Sequence, residues 1–141
     1  MTNFSNFFGE NSPLKTVLPG FRPREGQGEM AIDICDAINR KENLIIEAGT
    51  GIGKTFAYLA PALMSGKKII ISTGTKTLQD QLYKRDLPLI AKVLGRPVST
   101  SLLKGRSNYL CLHRLDNATS NDKALSQDLK IIHEWKFQTD T

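Results

Sequence analysis

The strongest constraint in this sequence is a nine-residue stretch, "EAGTGIGKT", at residues 47–55. An apolar run, "NLIIEA" at 43–48, leads straight into it, and a helical pattern follows. Glycines at 49, 51 and 53 let the backbone turn tightly, with no Cβ to block close approach of a ligand. Between a strand and a helix N-terminus, the N–H groups of Gly49, Thr50, Gly51, Ile52, Gly53, Lys54 and Thr55 can point into one concavity. The positive end of the helix dipole lies there too, so the turn suits polyphosphate. The usual pattern G-x-x-x-x-G-K-S/T is met except at its first glycine, where this chain has Ala48. A chance glycine-rich turn would lack the flanking strand, the following helix and a G-K-T in register.

Around that turn the remaining elements can be read from periodicity. Residues 27–39, "QGEMAIDICDAIN", place Ala31, Ile34, Cys35 and Ile38 on one helical face, which makes Cys35 a core thiol. Residues 54–64 put Phe56, Leu59, Ala60 and Leu63 on one side of a second helix, with Pro61 kinking it or marking its last turn. "KKIIIST" at 67–73 reads as a second buried strand and "PVSTSLLKG" at 97–105 as a third. Helices are expected at 77–84 and from Pro88 to Leu94. A tail helix carries Leu125, Leu129, Ile132 and Trp135. Residues 1–20 read as an irregular arm whose Phe4, Phe7 and Phe8 dock on the rest. Strand–turn–helix–strand–helix–strand builds a parallel sheet flanked by helices. The expected class is α/β, a P-loop NTPase of RecA-like type, incomplete in this chain because three strands make a thin sheet.

Charge is informative by position. Residues 1–66 hold six Lys/Arg against seven Asp/Glu, whereas 67–141 hold thirteen against seven. From Lys67 to Arg114 the count is ten basic to two acidic, Asp80 and Asp86. Such a run fits either an anionic polymer, above all nucleic acid, or a solvated surface. The longest aliphatic runs are far too short for a bilayer, which needs roughly 20 apolar residues. With no secretory pattern at the start, no membrane partner is expected and the chain reads as soluble and intracellular. Two cysteines, Cys35 and Cys111, do not argue for a disulfide framework.

The A-x-x-G-x-G-K-T run from Ala48 to Thr55 resembles the first ATPase motif of superfamily 2 helicases. "FRPREGQGEM" at 21–30 resembles the Q-motif region of their iron–sulfur branch, the DinG/XPD type. "ISTGTKTLQDQL" at 71–82 looks like that family's motif Ia, and "LLKGRSNYLCLHRL" at 102–115 is most like its YoaA-type bacterial members. The resemblance implies an ATP-dependent DNA helicase, with ATP and Mg²⁺ as cofactors and single-stranded DNA as partner. Gln27 would meet the adenine edge, supported by Arg24. Lys54 would be the catalytic side chain on the β- and γ-phosphates, and Thr55 would ligate Mg²⁺. Thr73, Thr75 and Lys76 would hold DNA phosphates, with helix capping by Thr75 or Thr77 equally open. Arg106 and Tyr109 would lie near the DNA path, and Cys111 would be the first of four ligands to a 4Fe–4S cluster.

The resemblance divides the chain into the arm at 1–20, the start of the helicase ATP-binding domain at 21–104, and the start of a cluster insertion at 105–141. It implies a bacterial, cytoplasmic, nucleoid-associated parent with a replication or repair protein as a further partner. Cluster binding needs four cysteines, so Cys111 alone is expected to remain a free thiol here. His113 and His133 lack ligand spacing. No D-E-x-H sequence occurs to position the attacking water. The chain is therefore expected to be part of a longer enzyme and inactive alone. The alternative is a truncated, non-catalytic product that keeps ATP or DNA binding. A small-molecule kinase is disfavoured, because it has no use for the flanking motifs.

Overall fold

The structure, a computed structural model, describes residues 4–118 and 123–138. The chain forms two compact units, Met1–Ser101 and Leu102–Thr141.

The first unit opens with helix α1 (Phe4–Phe7) and a 3-10 turn at Pro13–Thr16. Phe4, Phe7 and Phe8 are spaced so that one helical turn presents all three rings to the same side. They are buried with Leu14 against Ala31, Leu59, Ala60 and Ile90. Their edge-to-face rings lie 6.5 and 5.0 Å apart, a geometry favoured by the ring quadrupoles. Ser12 locks the turn: its hydroxyl donates to the Phe7 carbonyl and accepts from the Leu14 N–H at 3.1 Å. The aromatics dock as expected, but the segment is not irregular, because this spacing and this serine cap give it helical turns.

Helix α2 (Gln27–Arg40) packs along α3 (Lys54–Met64), α1 sits on α2, and α5 (Leu87–Leu94) closes on α3. The α2 C-terminus ends in a left-handed Lys41, and Lys67 Nζ donates to the Ile38 carbonyl at 2.6 Å. A helix's last carbonyls lack internal partners, so this lysine both caps α2 and fixes where the next segment starts. Pro61 stands inside α3, and the helix stops one turn later at Met64. Beyond it, α4 (Lys76–Gln81), a π-turn (Leu82–Asp86) and α5 run end to end. The two separate helices expected at 77–84 and after Pro88 are thus one helical stretch, because Pro88 falls in a first turn, where its missing N–H costs nothing.

The three expected strands are not found, and no strand occurs among the described residues. Their alternation is nevertheless present. Ile45 is 97% exposed beside a half-buried Ile46, and Ile70 is 90% exposed beside Ile71, which packs on the core. In the second unit Leu103 is 82% exposed between half-buried Leu102 and Lys104. On the covered side, Leu44 and Ile46 join Met30, Ile34, Ile38 and Tyr58 around a groove of about 470 Å³. A helix closes its hydrogen bonds within itself, whereas a strand needs a neighbour about 4.7–4.9 Å away. Helices therefore form here, and the strand sequences remain unladdered.

In the second unit, a 3-10 turn (Arg106–Asn108) precedes α6 (Leu112–Asp116) and α7 (Lys123–Trp135). Asp116 joins the last two: its carboxylate accepts from Lys136 Nζ at 2.8 Å and lies 3.8 Å from His133 Nδ1.

Candidate functional site

The glycine-rich turn leads into α3 through Gly53, whose φ of +81° is a left-handed conformation that glycine adopts without strain. Lys54 is the first residue of α3. Its ammonium folds back over the turn and donates to the carbonyls of Ala48 at 2.8 Å and Gly49 at 2.7 Å. Thr50 and Gly51 are exposed at the tip, and Ile52 is half-buried. The ammonium thereby satisfies donors on the rim of its own loop.

Two residues from 26 or more positions upstream meet this loop. Gln27 is 1% exposed, and its side-chain Nε2 donates to the Gly53 carbonyl at 3.0 Å. A Cβ at Gly53 would lie 2.4 Å from that nitrogen and 3.1 Å from Arg24 Nη1. Gly53 is therefore demanded twice, by its backbone angle and by the amide and guanidinium crowded against it. The other end of the amide, Gln27 Oε1, is buried with no hydrogen-bond partner. An unpaired buried acceptor costs about 1–3 kcal/mol, so this oxygen is placed for a donor from outside the chain.

Two polar residues of the first unit that sequence reading missed are Tyr58, half-buried, and Asp86, buried. Thr55 is half-buried, and Tyr58, also half-buried, follows one turn on in α3. Burial raises the Tyr58 phenol above its usual value. The Thr55 side chain works against that, and the Asp86 charge adds to it. Asp86 is 1% exposed at the end of the π-turn, where it accepts from Arg85 Nε at 2.8 Å and Gln81 Nε2 at 3.0 Å. Nothing local marked Asp86, one of two acids in a basic run.

Farther along the first unit, Thr75 is the N-cap of α4 and accepts from the Leu78 N–H at 3.2 Å. Thr73 Oγ1 donates to the Thr75 carbonyl at 3.3 Å, and Lys76 is exposed. In the second unit, Arg106 is exposed in the 3-10 turn, and the Tyr109 hydroxyl accepts from the Lys104 N–H at 2.9 Å. Cys111 is an exposed free thiol at the start of α6. Cys35 lies half-buried in α2, and no group of three or more His, Cys, Asp or Glu among the described residues can hold a metal. The residues present do not fit an iron–sulfur cluster. They do fit a nucleotide, through the orphaned Gln27 oxygen and the cradle that a Cβ at Gly53 would fill.

The family described as DEAD/DEAH box helicase matches residues 29–129. The chain is 52% identical over 141 residues to ATP-dependent DNA helicase YoaA of Haemophilus influenzae, covering 97% of this chain and 22% of that protein. It is 49% identical to ATP-dependent DNA helicase YoaA of Escherichia coli, covering 94% and 21%. Against the protein named 3'-5' exonuclease DinG of Bacillus subtilis it is 40% identical, covering 94% and 15%. The chain thus spans at most 22% of the length of these relatives. No solved structure matches it.

Proposed function

This chain belongs to the DEAD/DEAH box helicase family, and we propose that it is the nucleotide-gripping start of an ATP-dependent DNA helicase. The observation that carries the reading is the divided amide of Gln27. Its nitrogen ties down Gly53 in the phosphate loop, while its buried oxygen has no partner. Adenine offers an exocyclic N–H₂ donor to that oxygen. Guanine presents a carbonyl at the same edge, which would set acceptor against acceptor.

In this reading Arg24 supports the base contact, and the loop from Ala48 to Thr55 cradles the phosphates. Lys54 exchanges the carbonyls of Ala48 and Gly49 for the β- and γ-phosphate oxygens, and Thr55 ligates Mg²⁺, the ion that neutralises charge between those phosphates. Thr73, Thr75 and Lys76 contact single-stranded DNA phosphates, and Arg106 and Tyr109 line its path. Such contacts hold a strand without reading its sequence.

The unladdered segments 43–48, 67–73 and 97–105 become strands of a parallel, RecA-like sheet in a longer parent, which also supplies three more cysteines beside Cys111. The same reading assigns the parent a replication or repair protein as partner and a place on the bacterial nucleoid. Among the described residues no helix is long and apolar enough to cross a membrane.

Fluorescent ATP-analogue binding to the 141-residue chain tests the proposal. ATP with Mg²⁺ should displace the probe at least about tenfold better than GTP, the span of one lost buried hydrogen bond. Lys54→Ala should abolish binding. Equal displacement by both nucleotides would remove the Gln27 argument.

A further inference from the structure

We propose that the N-terminal arm, residues 4–14, is a positioning element for base specificity. It clamps α2 to α3, so that the Gln27 amide stays latched on Gly53 with its oxygen presented to the base. The inference rests on the adenine reading of Gln27.

The case begins with how the two halves of the site are anchored. Gln27 is the first residue of α2, and Lys54 is the first of α3. The two helix starts meet through one side-chain hydrogen bond, from Gln27 Nε2 to the Gly53 carbonyl at 3.0 Å. Such a bond is worth about as much as the rotamer freedom a glutamine gives up to make it, so it does not hold two helices by itself. The arm supplies the rest of the hold. Phe4, Phe7, Phe8 and Leu14 are buried in one cluster with Ala31 of α2 and with Leu59 and Ala60 of α3. Ala31 lies one turn after Gln27, and Leu59 and Ala60 lie within two turns of Lys54.

The arm also approaches α2 at Gly28, beside Gln27. A Cβ there would stand 3.5 Å from both the Phe4 carbonyl oxygen and the Ser5 Cα. These are backbone atoms, which cannot swing aside as a flexible side chain can. The arm itself is fixed, because the Ser12 hydroxyl bonds both the Phe7 carbonyl and the Leu14 N–H. Plain core packing explains the buried rings. It does not explain the contact at Gly28, which adds no apolar side chain and falls beside a residue whose acceptor is buried and unpaired. A close-packed interior transmits a displacement instead of absorbing it, so a shift of the arm moves the start of α2 and the Gln27 amide with it. The phosphate contacts come from consecutive residues of one segment and depend less on α2. The arm therefore governs which base is accepted more than whether a polyphosphate binds.

The test wedges the arm off α2 in the 141-residue chain and leaves Gln27 in place. Gly28→Leu extends a branched side chain from a position where a Cβ already stands at contact distance. Leucine favours a helix more than glycine does, so α2 itself is not weakened. Gly28→Ala is the control, because its methyl fits at ordinary contact distance. NMR reads the exchange of the Gln27 side-chain amide protons without nucleotide. Calorimetry with Mg²⁺ reads the affinities for ATP, GTP and tripolyphosphate. In Gly28→Leu the amide protons should exchange several-fold faster. Its preference for ATP over GTP should fall about tenfold, to near equality, while tripolyphosphate affinity changes less than about threefold. Gly28→Ala should match the unaltered chain throughout. Phe4→Ala, which withdraws the arm's first ring, should repeat the Gly28→Leu pattern, and it decides the matter alone if Gly28→Leu loses its fold by circular dichroism. An arm that only adds stability would lower the melting temperature and leave amide exchange and base preference unchanged. That result overturns the proposal and leaves the adenine reading standing, as does an equal loss of all three ligands. An unaltered chain that binds tripolyphosphate but takes ATP and GTP alike refutes the adenine reading, and the arm's role in specificity with it.

Discussion

The phosphate loop and the Cys111 turn both stand out as motifs, but the structure completes only one of them. Around the loop, side chains converge: Gln27 on Gly53, and Lys54 on Ala48 and Gly49. Around Cys111 no metal-ligating group converges among the described residues, and the thiol stands exposed at the head of a five-residue helix. A phosphate loop is built mostly from backbone N–H groups on consecutive residues, so a short stretch makes most of it. A metal cluster is built from side chains that other segments must deliver. The difference between the regions is the difference between a local site and a non-local one.

The comparison can be broken first at the core beneath the loop. Phe7→Ala removes a ring packed between Phe4 and Phe8 on the α2–α3 core. It should lower the unfolding free energy by about 3–5 kcal/mol, read as a shift in urea midpoint. Leu125→Ala, at an exposed position of α7, should stay within about 0.5 kcal/mol. Equal effects would mean that the second unit is packed as firmly as the first.

Gly53→Ala sharpens the contrast at the site itself. The new methyl must accept a left-handed backbone and stand 2.4 Å from Gln27 Nε2. The backbone alone costs about 1–2 kcal/mol, and the displaced amide loses its hold on the loop. Binding of the ATP analogue should fall more than about tenfold, since each 1.4 kcal/mol is a factor of ten. Thermal melting should move by only a few degrees. Unchanged binding would show that the Gln27 latch does not shape the loop.

Legibility followed the same division. Helix α3 spans Lys54–Met64 as its apolar spacing predicts, and α2 follows the stripe through Ala31 and Ile34. Thr75 carries out the capping role that its position before α4 allowed. These outcomes depend on neighbours within a turn or two. The strands were legible only as alternation. Ile45 and Ile70 point away from the helices as strand residues would, yet a ladder depends on partners that no local pattern specifies. Asp86 was invisible for a related reason: its burial comes from packing that no neighbouring residue specifies. The join of α4 to α5 was misread at Pro88, because a proline that ends one helix and one that opens the next turn look alike in sequence.

The smallest effect lies in the second unit, where Asp116 shows how weakly exposed charges hold a structure. Its hydrogen bond to Lys136 depresses its carboxyl below 3.8, with the charges of Lys136, His133 and His113 adding to that and partial desolvation opposing it. A depressed carboxyl contributes stability that is fully present above its unfolded value and is lost as pH falls through the folded one. The contribution should therefore persist at neutral pH and disappear only below 3.8. The group is exposed, so solvent and salt screen it. Lys136→Met should raise the Asp116 midpoint toward 3.8 in a carboxyl NMR titration, while the neutral-pH melting temperature stays where it was. A large loss of melting temperature would show that this pair anchors α7, and would place the second unit nearer to the first than its exposed thiol suggests.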